Sequence, residues 1–363
     1  MSRAAKYQKV TEWIYDRIAS GSLSGGERLE SENEICALFQ ISRQTVRHAL
    51  GILEEEGVLM RVQGSGTYVQ KRAVREHAPL SHTVTIITTY ADGYIFPRIL
   101  QAMVRTLGKA GYSSRIMFTN NQVETERSLL EELLKKNSRD PLIVEPVMSG
   151  LPNPNLALYR KLQAAGIPIL FFHSYYPELE IPHVSMNDEA VGKSAAEYLI
   201  ARGHTKIGGI FKADDGQGRR RYAGYLEAMR RAGLKTKDSR ICWVDTQEMR
   251  EGLKFSTRIL ERMKDCTACV CYNDELAHLL TIQAQAHGIR IPEDLSIVSV
   301  DNSELARLNQ VPLTSAAHPL EVLGEKAAEN MLRLIEDPDA DATYEFDASI
   351  ESRDSVRCIP DVR

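Results

Sequence analysis

From Thr83 onward, nine short apolar runs recur along the chain: VTIITTY, RIMFT, LIVEP, IPILFF, HVSM, KIGGIF, ICWVD, ACVCY and LSIVSV, with stretches of helical periodicity between them. Near-continuous runs of Val, Ile, Leu and Phe suit strands buried on both faces, and strands that alternate with helices build parallel, doubly wound α/β sheets. That many strands in residues 83–363 favours two similar lobes over one sheet. A chain of 363 residues also exceeds what one core usually organises.

The first 70 residues follow a different rule. Val10, Trp13, Ile14, Tyr15 and Ile18 form one apolar helical face, which Gly21, Gly25 and Gly26 interrupt. Ser31 with Glu34 three residues on is a capping box, opening a short helix whose inner face is expected to hold Ile35, Leu38 and Phe39. After the turn QIS, Ser42 caps a helix from Arg43 to Glu56 that buries Val46, Ala49, Leu50 and Leu53, and Gly57 ends it. Val58–Val62, the turn Gln63-Gly64-Ser65-Gly66 and Thr67–Val69 then form a hairpin. Two helices joined by a tight turn and followed by a hairpin make a winged helix-turn-helix. The expected organisation is a DNA-binding domain over 1–70, a polar linker over 71–82 and a two-lobed α/β domain over 83–363.

A formal net charge of −4 argues poorly for nucleic-acid binding, which needs clustered Lys and Arg. The mean hides a local pattern. Residues 1–78 hold eleven Lys and Arg against ten Asp and Glu, with no acid between Glu34 and Glu54, where Arg43, Arg47 and His48 lie. Between Glu56 and Glu76 the only charges are Arg61, Lys71, Arg72 and Arg75. Basic residues are therefore grouped on the second helix of the motif and around its hairpin.

No apolar run approaches the roughly 20 residues of a membrane span, and the start MSRAAKYQKV lacks a signal-peptide pattern, so a cytoplasmic protein with no membrane partner and with reduced thiols is expected. Cys266, Cys269 and Cys271 form a C-x-x-C-x-C run, but TACVCY suits a buried strand in which Cys acts as a small hydrophobe, and neither Cys242 nor Cys358 supplies a second pair. No metal and no cofactor is expected. Enzyme signatures fail too: GQGRRRYAG has the wrong glycine spacing for a dinucleotide site, no G-x-S-x-G elbow occurs, and the first glycine of a P-loop is absent.

The run ERLESENEICALFQISRQTVRHALGILEEEGVLMRVQGSGTYV resembles the DNA-binding domain of GntR-type bacterial transcription regulators, with Glu30 where that family usually has Pro. Arg43 and Arg47 suit bidentate pairing with guanine and Gln44 suits adenine, while Thr45 suits a base edge, a thymine methyl or a phosphate. On an anonymous helix the two arginines would be read as a solvated face. Ser31 and Ser42 cap helices whose N-termini can face phosphate, and Gly64 and Gly66 beside Gln63 let a hairpin tip approach DNA closely. Lys6 joins this set by the resemblance. An aminotransferase fused to such a head would need a Schiff-base lysine context that is not found.

Many apolar runs in the body end on polar groups: Tyr90, Asn120-Asn121, Glu145, His173, Lys212, Asn273-Asp274 and Asp301-Asn302. Ligands of open α/β sheets bind at strand carboxyl ends. With Tyr94, Phe96, Phe172 and Tyr175 nearby, these positions offer a small polyol paired hydrogen-bond groups and flat aromatic faces. GRRRYAGYLEAM, CYNDELA, IPEDLSIVSVDNSELA and LTSAAHPLEVLGEKAAENML resemble segments of LacI-type regulators and of the periplasmic sugar-binding proteins related to them. The resemblance implies sugar contacts from Arg221, Asn273 and Asp301, with Asp274 capping the helix after it. It also implies a polar role for His173 after the fourth strand of the body. His318, on the last crossover, departs from the usual residues.

A GntR-type head on such a body, together with TTYADGYIFPRI, FTNN, LIVEP and FKADDGQG, is similar to the arabinose-responsive repressors. This implies L-arabinose as effector, a homodimer on a pseudo-palindromic double-stranded operator, and release of the operator when sugar binds between the lobes. Arg221 and Lys212 are expected to be offset by Glu145 and Asp301, which favours a neutral over a phosphorylated sugar. Another pentose, a hexose or a nucleoside remains open as effector, as does a DNA-binding head fused to a Rossmann-like enzyme.

Overall fold

A computed structural model of the chain describes residues 3–19, 22–70, 80–90, 93–251 and 256–360, without the side chains of 3–6, 19 and 256. Residues 71–79, most of the expected linker, lie outside the described residues. The chain divides into two compact units, Met1–His82 with Leu130–Pro141 and Leu158–Pro168, and the remainder.

In the first unit, helices α1 (Arg3–Ala19), α2 (Glu32–Phe39) and α3 (Arg43–Glu55) precede a hairpin of β1 (Leu59–Val62) and β2 (Gly66–Val69). The capping box forms as expected: Glu34 N donates to Ser31 Oγ at 3.3 Å, and Ser31 N donates to the Glu34 carboxylate at 2.7 Å. Ser42 Oγ accepts from Thr45 N at 3.2 Å, which opens α3. Val10, Ile14 and Ile18 of α1 pack with Ile35, Val46, Leu50, Leu53, Val58 and Val69 into one core. Leu38 departs from expectation, being 61% exposed. The inward stripe of this two-turn helix runs through Ile35, Cys36 and Phe39, with Phe39 edge-on to Trp13, and leaves position 38 on the outer side. Glu30 gains a contact that a proline could not make, since Arg17 Nη1 donates to it at 2.5 Å.

The second unit holds two six-stranded sheets. The first has the order β13-β7-β6-β5-β3-β4 and is parallel throughout, with β3 Thr83–Thr88, β4 Ser113–Phe118, β5 Leu142–Val144, β6 Ile169–His173, β7 His183–Met186 and β13 Tyr344–Phe346. The second runs β14-β12-β11-β10-β8-β9, with β8 Ile207–Lys212, β9 Ile241–Val244, β10 Ala268–Cys271, β11 Ser296–Asp301, β12 Thr314–Ala317 and β14 Ile350–Glu351. Only β14 is antiparallel in it. All nine apolar runs are strands. The chain passes between lobes after β7, after β12 and again between β13 and β14, so each lobe is completed by C-terminal segments.

Two helix pairs pack unusually closely. Between Asp188–Ile200 and Gly216–Arg231, a Cβ on Gly192 would come within 1.9 Å of the Arg221 carbonyl oxygen, and one on Gly224 within 1.9 Å of that of Glu189. The helix Leu320–Glu336 returns to the first lobe and packs on Phe96–Lys109. The C-x-x-C-x-C run is β10 and its approach: Cys266, Cys269 and Cys271 lie with Cys242 in the core of the second lobe. Burial pushes the Cys266 thiol up to about 11 and that of Cys269 well above its usual value. Among the described residues no helix is long and apolar enough to cross a membrane.

Candidate functional site

Residues that follow the C-terminal ends of six strands, from both sheets, line one cavity of about 100 Å³. Thr89 and Tyr90 follow β3, Glu145 follows β5, His173 ends β6, Lys212 ends β8, Asn273 follows β10 and Asp301 ends β11. Parallel strands place their carboxyl ends at one edge of a sheet, so the topology itself gathers these side chains.

On the first lobe, Glu145 is 5% exposed and its Oε2 accepts from Thr89 N at 2.6 Å and from the hydroxyls of Thr88 and Thr89 at 2.7 Å. Its Oε1 lies 3.2 Å from His173 Nδ1. Burial works to lower the His173 pKa, but the charges of Glu145 and Asp301 outweigh it and raise the value. Phe96 stands edge-on to this imidazole at 5.3 Å.

On the second lobe, Arg221 is 2% exposed. Its Nε donates to Asp188 Oδ1 at 2.9 Å and its Nη1 to the Tyr272 carbonyl at 2.6 Å, while Nη2 has no partner among the described residues. Burial pushes the Asp301 carboxyl up to about 6; its Oδ1 has no partner among the described residues, and its Oδ2 accepts from the Tyr94 hydroxyl of the first lobe. The same Tyr94 oxygen accepts from Asp274 N at 3.2 Å, so this side chain, at φ 60°, spans the cleft. His318 lies 5.4 Å from His173 with both ring nitrogens unpartnered among the described residues, and burial holds it neutral, far below its usual pKa. Each unpaired buried polar atom costs on the order of 1–3 kcal/mol, so this cluster is set up for a hydrogen-bonding ligand.

On the head, three arginines meet one carboxylate. Arg43 Nε lies 2.8 Å and Arg47 Nε 2.9 Å from Glu32 Oε2, and Arg61 Nη2 of the hairpin is 3.5 Å from Oε1. Partial burial works to raise the Glu32 pKa, but Arg43 and Arg47 prevail and lower it. Gln44, Gln63 and Gly64 are exposed, and Gly66 sits at φ 139° where a Cβ would meet Arg28 at 2.7 Å.

Comparison with known proteins gives the same two parts. The gntR family of bacterial regulatory proteins matches residues 6–69, and the periplasmic binding protein-like domain matches residues 196–356. An arabinose metabolism transcriptional repressor of Geobacillus stearothermophilus is 37% identical over 339 residues, covering 93% of each chain. The chain belongs to the family of arabinose metabolism transcriptional repressors. A second repressor so named, from Halalkalibacterium halodurans, is 36% identical over 95% of this chain and 93% of its own. The solved complex of the regulator CelR with cellobiose has the same fold, with a TM-score of 0.68 at 21% identity over 87% of this chain and 92% of that one.

The repressor is thus a sugar-responsive DNA-binding regulator, and these relatives exclude the fused-enzyme alternative. Tyr94, Phe96, Glu145, His173, Lys212, Arg221, Asn273 and Asp301 all line the cavity, and His318 packs behind His173. Several details differ from expectation. The direct ion pairs of the cations are with other carboxylates, Lys212 with Asp215 at 2.7 Å and Arg221 with Asp188, while Asp301 acts on Arg221 through charge without an ion pair. Asn273, not Asp274, caps the helix Asp274–Ala286, because Asn273 is the extended residue and its Oδ1 accepts from Leu276 N at 3.0 Å. Asp274 instead is buried and accepts from Ser299, Ser303 and Ser315. Phe172 lies in the core, and Tyr175 stacks on His183 at 3.8 Å, so neither covers a ligand.

In the head, Thr45 is 7% exposed with its hydroxyl 2.9 Å from that of Ser42, so it braces the start of α3 instead of joining the exposed face. The side chain of Lys6 lies outside the described residues. The reading of sequence missed Gln217, whose Nε2 donates to the His173 carbonyl at 3.1 Å, and Tyr272, whose hydroxyl donates to Asp215 at 2.8 Å. Gln217 lies in FKADDGQG, a segment similar to the arabinose-responsive repressors, but nothing in its spacing marks this residue as facing a ligand.

Proposed function

We propose that the repressor acts in the cytoplasm as a homodimer on a pseudo-palindromic operator, and that L-arabinose bound between the two lobes of its body releases the DNA. The observation that carries the reading is the presence of two buried side chains lining the cavity with atoms that have no partner among the described residues, Arg221 Nη2 as donor and Asp301 Oδ1 as acceptor. Hydroxyls, each both donor and acceptor, satisfy such a mixed set. Both cations already have carboxylate partners, which leaves no net positive charge for a phosphate. A cavity of about 100 Å³ falls below the roughly 300–1,000 Å³ typical of drug-sized ligands, which supports a monosaccharide over a nucleoside.

Sugar and operator favour different states of the dimer, so their affinities are linked reciprocally by about 1–3 kcal/mol. On the DNA side, Arg43, Gln44 and Arg47 face the major groove, with the tip of the hairpin at Gln63 and Gly64 beside it. Calorimetric titration with L-arabinose, D-xylose, D-ribose, D-galactose and adenosine, together with gel shifts on the DNA upstream of the gene, tests the reading. L-arabinose is expected to bind and to release the shifted DNA. Binding by none of the sugars, or a stronger response to adenosine, overturns the assignment of the effector.

A further inference from the structure

The convergence of three arginines on Glu32 has a consequence for how the head chooses DNA. Glu32 is the first residue of α2, and its side chain is 17% exposed, whereas those of Arg43, Arg47 and Arg61 are 59%, 57% and 48% exposed. Arg43 and Arg47 both reach the carboxylate through Nε. That leaves the paired terminal nitrogens of each guanidinium, the fork that reads guanine O6 and N7, without a hydrogen bond among the described residues. The carboxylate thus holds two forks in fixed orientation without using the atoms that read bases.

The same carboxylate lies amid the cations that any phosphate would approach. Non-specific binding is almost wholly attraction between Lys or Arg and phosphates, so a buried-edge anion within 2.8–3.5 Å of three arginines weakens it. A specific site regains that loss through oriented base contacts, while random DNA does not. We infer that Glu32 is a specificity-determining, positioning residue of the repressor, which aims Arg43 and Arg47 at bases and at the same time opposes their capture by non-operator phosphates. This rests on the assignment of α3 and the hairpin as the DNA-binding face.

Glu32→Gln in the full-length chain tests it, with Glu34→Gln as a control that changes the net charge equally and keeps a capping box. Affinities for the operator and for an unrelated duplex of the same length are measured over a range of salt concentrations. Glu32→Gln is expected to bind the unrelated duplex about three- to tenfold tighter while gaining nothing on the operator, so that the specificity ratio falls by the same factor, about three- to tenfold. Glu34→Gln is expected to leave that ratio within about twofold.

Equal weakening of Glu32→Gln on both duplexes would mark a purely structural role and overturn the inference, as would an unchanged ratio. An equal fall in both variants would mean that bulk charge is responsible, and would overturn it too. Failure of the unsubstituted protein to distinguish operator from unrelated DNA would instead refute the assigned DNA-binding face.

Discussion

Arg221 and Asp188 form an ion pair with side chains 2% and 0% exposed, its Nε and Oδ1 atoms 2.9 Å apart. The pair sits where the helices Asp188–Ile200 and Gly216–Arg231 cross, and it holds the arginine whose remaining nitrogen is offered to the cleft. Ligand recognition and stability of the second lobe therefore share one side chain. Arg221→Ala is expected to abolish sugar binding and also to destabilise the body by up to about 3–5 kcal/mol, because the buried Asp188 loses its hydrogen-bonded partner and keeps only the longer contact to Arg220 Nε at 3.8 Å. Asp188→Asn combined with Arg221→Ala should restore part of that stability but none of the sugar binding. Urea denaturation of the two variants and the double variant, read as a cycle, checks this.

The glycines at that crossing fix its closeness. Gly192→Ala or Gly224→Ala sets a methyl carbon 1.9 Å from a carbonyl oxygen of the facing helix, so the helices must separate. A loss of at least about 1–3 kcal/mol is expected from such overpacking, with weaker sugar binding as Arg221 and Asp188 move apart. Alanine at Gly108, which has open space, provides the comparison and should cost nothing of this kind.

Asp301 predicts the pH dependence. Its carboxyl is raised from 3.8 to about 6, chiefly by burial, with Asp274 adding to the rise and Arg221, Tyr94 and His173 opposing it. The folded protein thus holds a proton that the unfolded chain gives up, and this contribution to stability is complete below 3.8 and lost as pH rises through about 6. A sugar hydroxyl donating to Asp301 favours its charged form, so affinity should hold steady above pH ~7 and fall below ~6 by up to about tenfold per pH unit. Asp301→Asn should bind sugar about ten- to a hundredfold more weakly, with that acid limb flattened. Calorimetric titrations between pH 5 and 8 decide the matter.

Tyr94 closes the cleft without a ligand, through Asp301 and the Asp274 amide. Tyr94→Phe removes both contacts while keeping the ring. Amide hydrogen exchange at Asp274 should then accelerate by about tenfold or more in the sugar-free protein. The apparent pKa of Asp301 should also rise, because the Tyr94 hydrogen bond holds it down. Unchanged exchange would show that the lobes are held by other contacts.

What sequence reveals here follows from what is periodic in it. Nine strands announce themselves by β-branched and aromatic runs, but β12 is TSAA, β13 is three residues long and β14 two, too short or polar to show a pattern. The cavity residues were legible because parallel sheets put strand ends together, which needs only the order of elements. Partnerships were not. Which of Asn273 and Asp274 caps a helix depends on backbone dihedrals, and the carboxylate that faces Arg221 comes from position 188, on another helix. Leu38 and Thr45 depart from expectation for different reasons: on the two-turn α2 a single position decides between core and surface, whereas Thr45 in the first turn of α3 is drawn inward to the hydroxyl of Ser42.

The cysteine run carries a practical consequence. Cys242, Cys266, Cys269 and Cys271 are buried in the core of one lobe, whereas Cys358 is exposed and Cys36 half-buried in the head. With its thiol near pKa 11, Cys266 holds almost no thiolate at neutral pH, and packing bars reagents as well. Alkylation of these four thiols can proceed only when that lobe opens its core. Peptide-resolved labelling therefore supplies a clock for the unfolding of the sugar-binding lobe, separate from the head and needing no added probe, and bound effector should slow it.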